Sequence, residues 1–231
     1  MTHLIIGGGE VGRALLEVLS SRYDTKIRDK GDAREEHVDV LHIAYPHAEN
    51  FIEATKKYID EYAPGLVVIH STVPVGTAQA IGSIVVSSPI RGTHPNLAEG
   101  IKTFVKYFGG PKAKEAADIF TNTGIPTRTF EKAETTELAK LLDTTYYAWN
   151  IIFAKEVKRV CDEMDLDFEE VYTIPNKDYN EGYAKLGKPD VIRPVLKPKE
   201  GPIGGHCVIP NAKLLNDWLT ETIKKRNKKY K

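Results

Sequence analysis

The chain has 231 residues, of which 41% are hydrophobic and 28% charged, a balance that excludes a disordered polymer and leaves room for one sizeable domain plus a smaller one. Lys+Arg 32 against Asp+Glu 32 gives a formal net charge of zero, so no global field would gather nucleic acid or an anionic membrane. No apolar run approaches the roughly 20 residues needed to span a bilayer. The start breaks into glycines too early for a secretion signal. Two cysteines, Cys161 and Cys207, cannot build a disulfide framework. A reducing, cytoplasmic setting with neither nucleic acid nor membrane as partner is expected.

Along the chain, Leu4-Ile5-Ile6 reads as a short buried strand, and Gly12 to Ser20 has helical spacing. Thr25 to Arg28 is a second strand ending at Asp29, and Val38 to Ala44 a third, stopped by Tyr45-Pro46. The eight residues between Asp29 and Val38 are too few for a crossover helix, so a plain loop is expected there. Asn50 to Tyr62 is helical with Asn50 as its cap. Leu66 to Ile69, Ile84 to Val86 and Val105 to Phe108 are further strands. Strands alternating with helices predict an α/β fold, a Rossmann-type doubly wound parallel sheet over about residues 1–130.

Beyond Phe130 the pattern changes. Leu138, Leu141, Leu142, Thr145, Trp149, Ile152, Phe153, Val157, Val160, Cys161 and Met164 recur at three- and four-residue steps. They predict one central helix from about Glu134 to Met164, roughly 46 Å long. A shorter helix near Phe168 to Ile174, a Pro/Gly/Lys-rich loop over Lys185 to Gly205 and a last amphipathic helix over Asn211 to Lys225 complete a helical segment, 131–231. In the last helix Leu214, Leu215, Trp218, Leu219 and Ile223 face inward. The lysines from Lys224 to Lys231 read as a solvated helix end rather than a nucleic-acid site.

Gly7-Gly8-Gly9-Glu10-Val11-Gly12 fits G-x-G-x-x-G, after a strand and opening a helix. Gly7 allows the tight turn, Gly9 lets backbone approach a pyrophosphate, and Gly12 lets helix and strand pack closely. The amides of Glu10 and Val11 then face the anion. Asp29 follows Gly12 by 17 residues, near the spacing expected for a carboxylate on a ribose 2′-OH. That favours NAD over NADP, while Arg28 beside it keeps NADP open. Cys161 sits on the apolar helix stripe and is assigned to the core. His37, His42 and His47 straddle a strand with no thiolate or carboxylate cluster, so no metal site is expected.

His70-Ser71-Thr72-Val73-Pro74-Val75-Gly76-Thr77 resembles the S-T-V-P-x-G-T segment of the UDP-glucose/GDP-mannose 6-dehydrogenases. Leu97-Ala98-Glu99-Gly100 with Gly109-Gly110, Glu137-Leu138-Ala139-Lys140-Leu141, and Gly201-Pro202-Ile203-Gly204-Gly205-His206-Cys207 resemble three further segments of that family, in family order. The resemblance implies NAD-dependent oxidation of a sugar-nucleotide primary alcohol, twice, to a carboxylate. It makes Cys207 the nucleophile that forms a thiohemiacetal and then a thioester, and Lys140 the cation facing an oxyanion. It places Thr72 and Glu99 near the nicotinamide end of the cofactor, and Thr144 and Asn211 at the catalytic positions. It also implies a homodimer through the long helix.

Three positions depart from the pattern. Thr144 stands where an asparagine is expected, Asn211 where an aspartate is, and Pro95 where a glutamate is. An amide has no accessible protonation change and cannot replace a carboxylate base. Glu99, His94 and His206 are then the candidate proton carriers. The family's C-terminal nucleotide-sugar domain also has no counterpart in 231 residues. Two other readings stay open: an NAD-binding relative with a regulatory or assembly role, and a short β-hydroxyacid dehydrogenase that uses Lys140 without a cysteine.

Overall fold

The computed structural model describes residues 1–29, 38–92, 95–205 and 207–230. The plain-loop expectation for the crossover, and His37, His94 and His206, lie outside them. The described chain divides into two compact units, Met1–Lys140 and Leu141–Lys231.

In the first unit the chain runs β1 (Thr2–Ile6), α1 (Glu10–Leu19), β2 (Asp24–Arg28), β3 (Val40–Ile43), α2 (Phe51–Tyr62), β4 (Leu66–Ile69), α3 (Thr77–Ile81), β5 (Val85–Ser87), α4 (Leu97–Thr103), β6 (Lys106–Gly109), α5 (Ala113–Thr121) and β7 (Thr127–Phe130). The strands form one sheet in the order β2-β1-β3-β4-β5-β6-β7. The Rossmann-type fold is therefore present. Its pairs are parallel apart from β5 and β6, which meet antiparallel through Ser87 and Gly109.

Strand alternation sends successive side chains to opposite faces. Ile5, Val40, Val68, Val86 and Phe108 pack with Leu15, Ile101 and Phe120 on one face. Leu4, Ile6, Leu41, Ile43, Val67 and Ile69 pack with Phe51, Tyr62 and Ile81 on the other. Both faces are covered, as the continuous apolar strands require. Burial of each such side chain stabilises by about 2 kcal/mol. Asn50 does precede α2, but its side chain makes no capping hydrogen bond.

A row of polar side chains crosses the first of these faces. His3 Nδ1 lies 2.9 Å from His42 Nε2, and His42 Nδ1 lies 2.9 Å from His70 Nε2. All three rings are buried. A neutral imidazole has one donor and one acceptor, so such a row bonds without any net charge. Burial, reinforced by the N-terminal ammonium, lowers His3 to about 4. Burial also holds His42 and His70 well below the ordinary value, with repulsion from His3 and Lys106 for the former and from Lys106 and His42 for the latter. Lys106, whose ammonium donates to Ser88 O at 3.0 Å, is lowered to about 7 by burial and then by Lys140.

α6 (Ala133–Glu163) is the long helix, within a residue of the expected bounds at each end. The second unit then continues through a π-helical turn (Glu169–Thr173), α7 (Ile174–Lys185), a short 3-10 turn (Pro189–Val191), α8 (Val208–Leu215), α9 (Trp218–Asn227) and a last 3-10 turn (Lys228–Tyr230). Three expectations are corrected here. The helix near Phe168 runs on to Lys185, because Pro175 sits in the first turn of α7, where its missing N–H costs nothing. The single last helix is two, broken where Asn216 adopts a left-handed conformation (φ 46°) and Asp217 caps α9 with a reciprocal Thr220 pairing. That break turns Trp218 outward, to 68% exposure.

Cys161 is buried with Ala154, Phe168 and Tyr172, as its place on the stripe predicts. Leu138, Leu142, Phe153, Val160 and Met164, of the same apolar pattern, are exposed.

Unfolding would free three imidazoles to bind protons that the folded chain refuses. Stability should therefore fall as pH drops from about 6.5 toward 4, since the unfolded state then holds more protons. Denaturant melts across that range should show the slope, with a shallower one in His42→Phe. A flat profile would mean that the row is not held neutral.

Candidate active site

The glycine turn is built by close approaches. Gly7 takes φ 114°, and its amide donates to Arg28 O at 2.9 Å, tying β1 to β2. A Cβ at Gly7 would lie 2.9 Å from Tyr45 N, and one at Gly12 only 1.9 Å from Gly7 O. Gly12 thus lets α1 start directly beneath the turn. Gly9 precedes α1 with no side-chain cap, and a Cβ there would meet nothing within 4 Å. As a glycine the cap has no side chain to place over the first turn of α1, and open space lies beside Gly9.

Asp29 closes the other side. A Cβ at Gly8 would lie 2.7 Å from Asp29 Oδ2, so carboxylate and turn are immediate neighbours. Arg28 is engaged elsewhere: its guanidinium pairs with Glu61 at 2.8 Å and bonds the Tyr62 hydroxyl. Those bonds raise its pKa further, the Glu61 hydrogen bond most.

A cavity of about 520 Å³ adjoins the turn, lined by Gly9, Glu10, Arg13, Pro95 and Glu99 among others. Glu99, exposed in the first turn of α4, is thus brought beside the glycine turn although 90 residues separate Gly9 from it. Thr72 is half-buried in the loop after β4, next to Ser71, whose hydroxyl donates to Tyr45 O at 2.5 Å. That loop is fastened from α6. Glu137, 1% exposed, accepts from Gly76 N at 2.6 Å and from Ala78 N at 2.9 Å, so its carboxylate satisfies the start of α3. Burial raises its pKa against those two bonds. In the sequence Glu137 is one member of the Glu137–Leu141 motif, and nothing in the motif alone marks it as the fastening residue. Lys140 is half-buried and lines a small cavity of about 20 Å³ that also touches Lys106, Arg91 and Thr136.

In the second unit, Cys207 is half-buried and immediately precedes α8. Its carbonyl accepts the Asn211 amide at 3.0 Å, so Asn211 stands one turn further on. Asn211 Nδ2 lies 3.4 Å from Thr144 Oγ1, and Thr144 donates to Leu141 O at 3.0 Å. Two of the three departures from the family pattern, Asn211 and Thr144, therefore meet as one buried, uncharged pair. Among the described residues no group of three or more His, Cys, Asp or Glu could hold a metal ion. No helix among them is long and apolar enough to cross a membrane.

A doubly wound sheet with a glycine turn after its first strand and a carboxylate beside that turn defines a Rossmann-type fold. Residues 134–224 match the UDP-glucose/GDP-mannose dehydrogenase family, central domain, the family that the motifs resemble. A UDP-N-acetyl-D-mannosamine dehydrogenase of Methanococcus vannielii is 29% identical over 160 residues, 65% of this chain and 34% of that protein. One of Methanocaldococcus jannaschii is 28% identical over 168 residues, 68% of this chain and 36% of that one. This chain thus spans about a third of the length of the curated relatives that it matches. The solved UDP-D-ManNAc dehydrogenase of Pyrococcus horikoshii shares the fold, with a TM-score of 0.81 at 18% identity over 100% of this chain and 69% of that one.

Gly12→Ala should destabilise the first unit by more than about 3 kcal/mol, because backbone must move to admit the methyl. Gly9→Ala should cost less than about 1 kcal/mol, the ordinary penalty of alanine at that cap. Thermal melts of the two variants compare them directly. Equal losses would place the strain elsewhere.

Proposed function

We propose that this chain acts as an NAD-dependent oxidoreductase on the primary alcohol of a UDP- or GDP-sugar, with Cys207 and Lys140 as its reacting groups. The observation that supports it best is the open space beside Gly9 at the start of α1, with Asp29 pressed against Gly8. These residues fit a dinucleotide: the amides of Glu10 and Val11 would hold the pyrophosphate, and Asp29 a ribose hydroxyl. NAD, when bound, supplies the hydride acceptor. The pairing of Arg28 with Glu61 supports NAD over NADP, since that guanidinium is already committed.

On this reading Thr72 and Glu99 flank the nicotinamide end, and Glu99 takes the proton that the alcohol releases. Lys140 stabilises the alkoxide and later oxyanions. The Cys207 thiolate adds to the aldehyde carbon, and the resulting thiohemiacetal oxyanion becomes a thioester by giving a second hydride to a second equivalent of NAD. Asn211 and Thr144 orient groups there without moving a proton, because neither changes charge near neutral pH. Opening of the thioester by water is then the slow step.

The test is incubation with NAD and, in turn, UDP-glucose, GDP-mannose and UDP-N-acetylmannosamine, following NADH and then the mass of Cys207. The expected result is turnover on one of them with an adduct on Cys207, lost in Cys207→Ser. Full activity of Cys207→Ser would instead support a β-hydroxyacid dehydrogenase that uses Lys140 alone. NAD binding without turnover would support a regulatory relative. Gly9→Ala should weaken NAD binding at least about tenfold, since its methyl points into the proposed pyrophosphate position.

The second part of the proposal is a homodimer through α6. Leu138, Leu142, Tyr146, Phe153 and Val160 of α6 are exposed, and at 100° per residue they fall within an arc of about 80°, with the exposed Tyr147 outside it. So narrow an apolar stripe along one helix is the pattern of a helix-to-helix seam. Light scattering should give a dimer mass for the native chain and a monomer mass for a Tyr146→Glu, Phe153→Glu double variant. A native monomer at micromolar concentration would remove the dimer.

A further inference from the structure

From Lys199 to Gly205, the stretch just before Cys207, the chain has no helix or strand, and Gly201 and Gly205 take left-handed φ values of 72° and 82°. With no backbone ladder, its path is set by the side chains that reach it. Asn227 Oδ1, on α9, accepts from Ile203 N at 2.6 Å. Lys155, on α6, donates from one ammonium to Gly201 O at 2.7 Å and to Lys199 O. Tyr230 closes a third side, its ring centre 4.9 Å from the same nitrogen.

Lys155 is an unusual lysine. It is 5% exposed and continues the buried stripe of Thr144, Ala148 and Ile152 along α6. Taking an ammonium out of water is costly unless hydrogen bonds replace the lost solvent. Carbonyls supply them here, while the neighbouring Glu156 is engaged by Arg159 at 3.0 Å and by the Tyr230 hydroxyl at 2.8 Å. Burial accordingly lowers the pKa of Lys155.

Described residues on either side of position 206 meet that stripe in reverse order. Gly201 is held at Lys155, Ile203 packs in one cluster with Ile152 and Ala148, and Asn211 meets Thr144. Cys207 falls between these anchors. We propose that Lys155 is a positioning residue for Cys207: by fixing the carbonyls of Lys199 and Gly201 on α6, it sets where the thiol stands. The inference rests on the reading above that Cys207 is the nucleophile. A latch of this kind acts on the loop alone. Its loss should free the stretch before the thiol without melting the helix that carries the lysine.

The test uses the full chain with Lys155→Met, which keeps the apolar stem, and Lys155→Arg, which keeps charge and donors. Three readouts are taken: alkylation of Cys207 by iodoacetamide, hydrogen exchange by peptide, and turnover. In Lys155→Met, Cys207 should alkylate at least about fivefold faster and exchange should rise over 199–205, while Cys161 stays protected. Turnover should fall about tenfold to a hundredfold at unchanged KM for NAD, as a displaced nucleophile would give. Lys155→Arg should restore most of each. Unchanged alkylation and exchange in Lys155→Met would overturn the proposal, as would exchange spread along α6 with Cys161 becoming reactive. If Lys155→Met does not fold, Lys155→Gln carries the same measurements. Full activity of Cys207→Ser would remove the nucleophile reading, and alkylation and exchange would still decide the latch.

Discussion

One stripe of side chains along α6 governs most of what the rest of the chain can do. In the first unit its Glu137 satisfies the amides of Gly76 and Ala78, and so fixes the loop after β4. In the second unit Thr144, Ala148, Ile152 and Lys155 take in α8, the loop before Cys207 and α9. Because the four of the second unit share one helix, their spacing along its axis is set by a rise of about 1.5 Å per residue. A stripe that must mix carboxylate, hydroxyl, methyl and ammonium cannot be made by hydrophobic periodicity alone. Each polar member is buried only because a particular backbone group answers it.

This explains which parts of the fold were legible in the sequence. β1, β4, α1 and α6 are long enough, or bounded sharply enough, for their periodicity to show, and the glycine turn has a spacing that few other structures need. β7 was missed because Thr127-Arg128-Thr129-Phe130 is half-exposed and only partly apolar. The split between α8 and α9 was missed because the apolar steps run on through Asn216 and Asp217, while the left-handed turn is local chemistry. Leu138, Leu142, Phe153, Val160 and Met164 share the apolar pattern with the buried residues. Periodicity finds apolar faces, but it cannot say which of them the chain itself covers.

The candidate site divides the same way. The Gly7 to Gly12 turn and Asp29 belong to one local motif, so sequence was enough to pair them. Glu99 reaches the same cavity from 90 residues away, and only the motif resemblance pointed to it. Glu137 and Lys155 were invisible as functional groups, since a charged residue on a helix is ordinarily solvated. Their signal is burial, which is a tertiary quantity. The His3–His42–His70 row is hidden for the same reason: its members lie on three segments and meet only across the sheet.

The buried pair Thr144 and Asn211 has the largest consequence for chemistry. Both are neutral, and each satisfies part of the other's hydrogen bonding, so neither is drawn toward a proton or away from one. Capture of an aldehyde by a thiolate needs placement and a charge opposite the oxyanion, which Cys207 and Lys140 supply on the proposed reading. Opening a thioester with water needs a base as well. Replacing a carboxylate by an amide therefore touches the steps of a two-stage oxidation unequally. The stage that forms the sulfur–carbon bond keeps its groups, and the stage that breaks it loses one. On that reading the Asn211 and Thr144 pair moves the slow step toward release, and the sulfur-bound intermediate is the species expected to accumulate.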